Sequence, residues 1–421
     1  MNIESQMPVT VVSGSLGAGK TTLVNHILEE VHDTDETVAV VVNDMGELNV
    51  DAELLETPVS ASDGELVELS DGCICCQLQN ELVQQTARLA REYDFDHLLV
   101  ESSGVSEPEP VARGFLSPGA RELYELDTTV TVVDADVFAG IVEGNDVEAD
   151  AFQLDTAETT KPIEDILMDQ VEFSDVLVLN KTDLVSDERL EAVEEVLTEL
   201  KPDAEIIRTE FGRVEPDDVL GTGLFNPDTA GNSAGWIQRI KEEDTEEQAH
   251  GDSHEHASGE HEDNHSHEHD HDHEHRHPDE RYGISSFVYR RNRPFHPARL
   301  TEFLDDLPES VVRAKGFVWL PQSNTFSVSL NVAANSYRLT PAGKWIAELP
   351  DEKQEEILAD NPVLREEWHP EYGDRGAQLV FIGADMDRAA IEDSLDSCLL
   401  TDEEMEADWE EIENPLDLLP F

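Results

Sequence analysis

Through its first 220 residues the chain alternates short, solidly apolar runs with longer amphipathic stretches. PVTVVSG, TVAVVVND, HLLVES, TTVTVVDA, DVLVLNK and AEIIRTE are rich in β-branched residues, and most end on a polar residue. Continuous apolar runs, as opposed to strict alternation, mark strands covered on both faces. KTTLVNHILEE, after the first run, has the spacing of a helix. The pattern predicts an α/β fold: a parallel sheet with helices on both faces. In such folds ligands lie at the carboxyl ends of the strands, where these runs turn polar.

The pattern breaks after residue 240. The segment from Lys241 to Arg281 holds eleven of the chain's 16 histidines, between His250 and His277, and no large apolar residue lies among them. A segment of this kind cannot build a core. Strand-like runs resume at YGISSFVYRR and continue with VVRAKGFVWL, TFSVSLN and AQLVFIGA; HPARLTEFLDDL and DRAAIEDSLDSCLL read as helices. The expected organisation is a nucleotide-binding domain at 1–225, a disordered His- and acid-rich linker at 226–280, a smaller α+β domain at 281–400 and an acidic tail at 401–421.

Composition changes the picture of the surface. There are 96 Asp and Glu against 27 Lys and Arg, a formal net charge of −69. Nucleic acid and anionic membranes would be repelled by such a surface, so neither is an expected partner. With 38% hydrophobic residues the chain still has material for cores, and a carboxylate-saturated surface is the pattern of adaptation to a salt-rich cytoplasm, where ionic strength screens self-repulsion. No apolar run approaches the roughly 18 residues of a membrane span. The stretch MNIESQMPVTVVSGSLGAGK lacks a basic region followed by an apolar one, so no signal peptide is expected and the predicted location is cytoplasmic.

The candidate chemistry begins with GSLGAGKT, residues 14–21, which fits G-x-x-x-x-G-K-[ST] between a predicted strand and a predicted helix. Gly14, Gly17 and Gly19 let the backbone wrap so that N–H groups, Ala18 among them, point at phosphate oxygens. Lys20 reaches the β- and γ-phosphates, Thr21 is a Mg²⁺ ligand, and Thr22 opens the helix whose positive end faces the anion. In LLVESSG, Glu101 is placed to act on Mg²⁺ or its water, and Gly104 to approach the γ-phosphate. VLVLNKTD supplies Asn180, Lys181 and Asp183. The Asp183 carboxylate would accept the guanine N1 and N2 hydrogens, a donor pair adenine lacks, while the lysine stem packs on the base. GTP is thus the expected nucleotide, and Lys20, Thr21, Glu101 and Asp51 the candidate catalytic set, with Asp51 in the segment that would sense the γ-phosphate. The loop TEFGRV, residues 209–214, is a candidate cover for the base. Asp134, at the end of TTVTVVDA, has no assigned role.

Three of the chain's four cysteines, Cys73, Cys75 and Cys76, crowd into LSDGCICCQLQNEL. Neighbours this close cannot pair comfortably with one another. Three thiolates can fill three corners of a tetrahedral Zn²⁺ site, with water, a substrate group, Asp44 or Glu47 as fourth ligand. A redox pair at Cys73 and Cys76 and inert buried thiols are the other readings. The alternating His and acid of the linker reads as a metal-collecting tether that loses affinity near or below about pH 6. Arg290, Arg291 and Arg293 either pair with the chain's own carboxylates or touch a nucleotide or client. Cys398 reads as a core thiol.

Taken together, GSLGAGKTTLVNHIL, NDMGELNVDAELL, ELSDGCICCQLQNEL, ESSGVSEPEPV and VLNKTDL resemble the CobW-like metallochaperone P-loop GTPases. The resemblance covers residues 8 to about 215, and 281–400 is similar to that family's C-terminal domain. Gly72, Cys73, Cys75 and Cys76 match its most specific block. Many members have Asn-Glu-Phe-Gly-Glu where this chain has NDMGE, and the shorter Asp44 has less reach as a ligand. The resemblance implies GTP hydrolysis with Mg²⁺, coupled to holding Zn²⁺ and delivering it to a client metalloprotein. Co²⁺ handling for cobalamin biosynthesis, or metal storage without nucleotide coupling, are the alternatives.

Overall fold

The computed structural model describes residues 6–32, 34, 36–43, 66–68, 86–91, 93–145, 161–227, 283–361, 364–365 and 368–416. The chain divides into two compact units. The first comprises Met1–Gly235 with Leu307–Ala314 and Leu330–Leu339; the second comprises Trp236–Asp306, Lys315–Ser329 and Thr340–Phe421.

All six apolar runs of the N-terminal half are strands: β1 Met7–Gly14, β2 Val38–Asn43, β4 His97–Ser102, β5 Tyr124–Asp134, β6 Val176–Asn180 and β7 Glu205–Arg208. A seventh, β3 Leu66–Glu68, was not expected. They form one parallel sheet in the order β3-β2-β4-β1-β5-β6-β7. The helices between them are α1 Lys20–Val31, α2 Pro108–Phe115, α3 Ala135–Val142, α4 Ile163–Phe173 and α5 Asp187–Leu200.

Strand periodicity decides what each face buries. Val12, Val40, Val42, Leu99, Val130 and Val132 point one way, onto Leu23, Val24, Ile27 and Val31 of α1. Val9, Val11, Val41, Leu98 and Val100 point the other way, onto Val111, Ala112 and Phe115 of α2. These side chains are almost wholly removed from water, each worth roughly 1.5–3 kcal/mol of transfer free energy. Both faces are therefore occupied, and only the strand ends are left for function.

A five-stranded sheet follows, in the order β11-β10-β9-β12-β8: β8 Ile284–Arg291, β9 Val311–Val318, β10 Phe326–Ala333, β11 Ser336–Lys344 and β12 Ala377–Ala384. β8 and β12 run antiparallel, with Phe287 stacked on Phe381 across them. Helices α6 Pro297–Asp305, α7 Asp351–Asp360 and α8 Arg388–Cys398 accompany this sheet in sequence. The basic cluster pairs internally: Arg291 grips Asp396 at 2.7 and 2.8 Å, and Arg293 meets Asp402 at 2.5 Å. Cys398 is a buried free thiol, and burial pushes its pKa up, so it is not poised for reaction. Among the described residues no helix is long and apolar enough to cross a membrane.

Candidate functional site

A parallel sheet brings its strand ends to one edge. β1 ends at Gly14, β4 at Ser102, β5 at Asp134 and β6 at Asn180. The register sets them side by side: Val12 opposite Glu101, Gly14 opposite Val132, and Asp134 opposite Asn180. The expected phosphate loop and acidic strand end thus leave the sheet from adjacent strands, β1 and β4, and the base-recognition loop leaves from β6, one strand beyond β5.

The loop after β1 turns into α1 through Gly19, which is left-handed (φ 108°). No side chain caps α1, and its first turn carries no acidic residue. In a chain with 96 carboxylates that omission matters, because the uncapped N–H groups keep their positive end available to an anion. Lys20 is buried, and its Nζ donates to the Ser15 carbonyl at 3.1 Å. Ala18 is buried, Gly17 exposed and Thr22 exposed. Thr21 Oγ1 donates to Glu101 Oε1 at 2.8 Å, with both residues buried. Gly104 lies against the same loop: a Cβ there would fall 2.6 Å from the Leu16 nitrogen. Only glycine permits this approach, and it couples the segment after β4 to the phosphate loop.

Asn180 does more than its motif announced. Its Nδ2 donates to the Ala18 carbonyl at 2.7 Å, and its Oδ1 accepts from the Gly212 N–H at 3.0 Å. One buried amide thereby ties the phosphate loop to the 209–214 loop. A Cβ on Gly19 would strike the Asn180 amide nitrogen at 2.3 Å, so glycine is required on that side too. Thr182 closes the same seam, its N–H and Oγ1 both donating to the Thr209 carbonyl at 3.3 and 3.0 Å. Asp183 is exposed in a short 3₁₀ turn, Thr182–Leu184, with its carboxylate open to solvent. Phe211, in the 209–214 loop, is 62% exposed at φ 57°. Sequence reasoning missed Gly212 and Asn180's bridging role, since neither is visible without the fold.

Asp51, Cys73, Cys75, Cys76, Asp44, Glu47 and the His-rich segment all lie outside the described residues. Among the described residues no group of three or more His, Cys, Asp or Glu could hold a metal ion.

Residues 8–208 match the family described as CobW/HypB/UreG, nucleotide-binding domain, and residues 284–399 match the Cobalamin synthesis protein cobW C-terminal domain. Zinc-regulated GTPase metalloprotein activator 1 of Dictyostelium discoideum is 33% identical over 419 residues, covering 95% of this chain and 81% of that protein. Zinc chaperone CobW of Sinorhizobium sp is 32% identical over 260 residues, covering 60% and 71% respectively. Among solved structures, the Zn(II)-bound YjiA GTPase from E. coli aligns over 94% of this chain and 99% of its own, at 18% identity and a TM-score of 0.39.

Proposed function

This chain belongs to the CobW-like GTPases of the CobW/HypB/UreG family, and from that membership we propose that its GTP hydrolysis governs the capture of a transition metal at Cys73, Cys75 and Cys76 and its delivery to a client metalloprotein. The metal is cargo. Three thiolates favour Zn²⁺, and two relatives carry zinc in their names.

The observation that carries this reading is the position of β3. It is the edge strand beside β2, with Val42 opposite Glu68, and β2 in turn sets Asn43 opposite Ser102 of β4. Cys73 follows Glu68 by only five residues in the sequence, which supports a thiolate site that serves the same sheet as the phosphate loop. A segment that orders around a γ-phosphate would also rearrange its own ligands.

The geometry of the strand ends supports the following nucleotide assignments. The α1 N-terminus and Lys20 hold the phosphates; Asp183 and Lys181 hold the base. The Thr21 hydroxyl and Glu101 carboxylate, buried and 2.8 Å apart, are a hard-oxygen pair that fits Mg²⁺. If bound there, the ion would supply positive charge to offset the charge that develops on the transferring phosphoryl group. Gly104 carries the γ-phosphate-facing loop. Gly104→Ala pushes backbone against backbone at Leu16, and a displacement near 1 Å costs on the order of a hundredfold in rate. Steady-state GTP hydrolysis should fall by about that factor, and an unchanged rate would sink the role given to this contact.

The coupling itself is tested by Zn²⁺ affinity, measured by chelator competition at high salt on protein lacking residues 245–280. With Mg²⁺ present, GDP is compared with a non-hydrolysable GTP analogue. A difference of about tenfold or more, near 1.4 kcal/mol of coupling, is expected. Replacing Cys73, Cys75 and Cys76 by serine should abolish both the tight site and the difference. Equal affinities in the two nucleotide states would favour metal storage.

A further inference from the structure

We propose that Asp134 is a positioning residue of the nucleotide-base pocket: its carboxylate, fixed by α3, holds the Lys181 ammonium and so sets the lysine stem in place before the base arrives. The proposal rests on the reading that Lys181 and Asp183 receive the guanine.

Asp134 ends β5 directly opposite Asn180, the last residue of β6, and Lys181 follows Asn180. The two carboxylate oxygens have separate tasks. Oδ1 accepts from the backbone N–H groups of Asp136 and Val137 at 3.1 and 3.4 Å, capping α3. Oδ2 accepts from Lys181 Nζ at 2.6 Å. The Asp134 side chain is only 10% exposed, so its orientation is not free, whereas Lys181 is 34% exposed and keeps a face toward solvent.

The post that carries the carboxylate is itself braced. Arg189 of α5 grips Glu143, just beyond α3, through Nε and Nη2 at 2.6 and 2.9 Å, and reaches Asp136 at 3.6 Å. The backbone on either side of Lys181 is pinned by the Asn180 and Thr182 hydrogen bonds, and Lys181 itself is held left-handed at φ 61°, ψ 34°. Both ends of the lysine are thus fixed, the Cα by the seam of loops and the Nζ by Asp134. A free lysine is among the side chains with most rotamer freedom to lose on binding. Here that loss is taken on folding, which is the way preorganisation raises affinity.

The ion pair also leaves Lys181 Nζ facing a carboxylate of its own chain, with its aliphatic stem as the surface offered to the base. Selectivity for guanine stays with Asp183, and the contribution of Asp134 is to affinity. It should therefore appear in KM and Kd more than in kcat.

Asp134→Asn separates the two tasks, because asparagine caps a helix as well as aspartate does but carries no charge for Lys181. The experiment is a fluorescence titration of the full-length chain with mant-labelled GDP, at one fixed high salt concentration. Four proteins are compared: native, Asp134→Asn, Lys181→Met and the double variant. Each single change is expected to weaken binding about tenfold, and the double variant to be no weaker than about the worse single one, since the second change removes nothing further. At saturating GTP, kcat should stay within about twofold of native while KM rises about tenfold.

If Lys181→Met weakens binding and Asp134→Asn does not, the proposal is overturned and the base pocket stands. Fully additive losses, about a hundredfold in the double variant, would show that Asp134 acts independently of Lys181 and would also overturn it. A fall in kcat together with thermal midpoint in Asp134→Asn would reduce the residue to a structural cap. If neither change weakens GDP binding, the base-pocket reading fails first and takes the proposal with it.

Discussion

Replacing Lys20 by alanine is expected to reduce kcat for GTP hydrolysis by about three orders of magnitude while leaving the fold intact. The reasoning starts from charge. GTP is a polyanion, and this chain has a formal net charge of −69; the field far from the site opposes binding. Local chemistry must overcome it. On the proposed reading the sheet edge would do so with the uncapped, acid-free start of α1 and with the buried Lys20 ammonium, which donates to the Ser15 carbonyl. Phosphoryl transfer offers a protein little covalent chemistry, so positioned positive charge supplies most of the rate. Removing one such charge from a buried site costs on the order of 10²–10³ by analogy with other preorganised donors, and here the repulsive background adds to the loss. Lys20→Arg should rescue little, because a bulkier planar fork does not fit where a compact point charge sits buried at the Ser15 carbonyl. The check is single-turnover hydrolysis beside a thermal melt. A rate within tenfold of native, with an unchanged melting point, would remove Lys20 from its assigned role.

The features that support the proposed nucleotide site are visible in the sequence because each is local. A Gly-rich turn between an apolar run and a helix, and polar residues at strand ends, are patterns a few residues wide. Strands β1, β2, β4, β5 and β6 are legible for the same reason: their solid apolar runs reflect burial on both faces, whereas β7, four residues at the end of the sheet order, is only partly buried. β3 is not legible, being three residues of GELVELS in an acid-rich stretch. β11 was missed because SYRLTPAGK contains both Pro and Gly and is only half-buried. Asp134 stands in the sequence without a role, since its partner lies 47 positions away and only the β5–β6 register joins them. The motif points Asn180 at the base, and its tie to Ala18 across 162 positions is invisible without the fold. For Asp134 and Asn180, what sequence hides is an interaction set by tertiary register.

Arg313 is the extreme case, and Arg313→Met is expected to destabilise the protein by about 3–5 kcal/mol. An arginine within the strand run VVRAKGFV would ordinarily be placed on a solvent face; this one is 1% exposed. The reason lies in α4. Asp165, Asp169 and Glu172 recur at i, i+4 and i+7, so they share one helix face. The guanidinium sits among them, within the same compact unit: Nε to Glu172 at 2.7 Å, Nη1 to Asp165 and Nη2 to Asp169, both at 3.3 Å, with the Val332 carbonyl completing Nη1. Arg338 adds a second cation on Asp165 at 2.7 Å. Lys161 pairs with Asp169 at 3.2 Å and with Glu107; burial works against its charge, yet the Glu107 hydrogen bond and the Asp169 carboxylate win and hold its pKa above the ordinary lysine value. Burial likewise opposes charge on Arg313, and the surrounding carboxylates raise its pKa regardless. Methionine fills similar volume, so packing loss is small and the deficit measures uncompensated carboxylates in a dry site. Urea unfolding of native and variant protein at pH 7 tests this. A deficit under about 1 kcal/mol would show that the three acids do not depend on Arg313 for their burial.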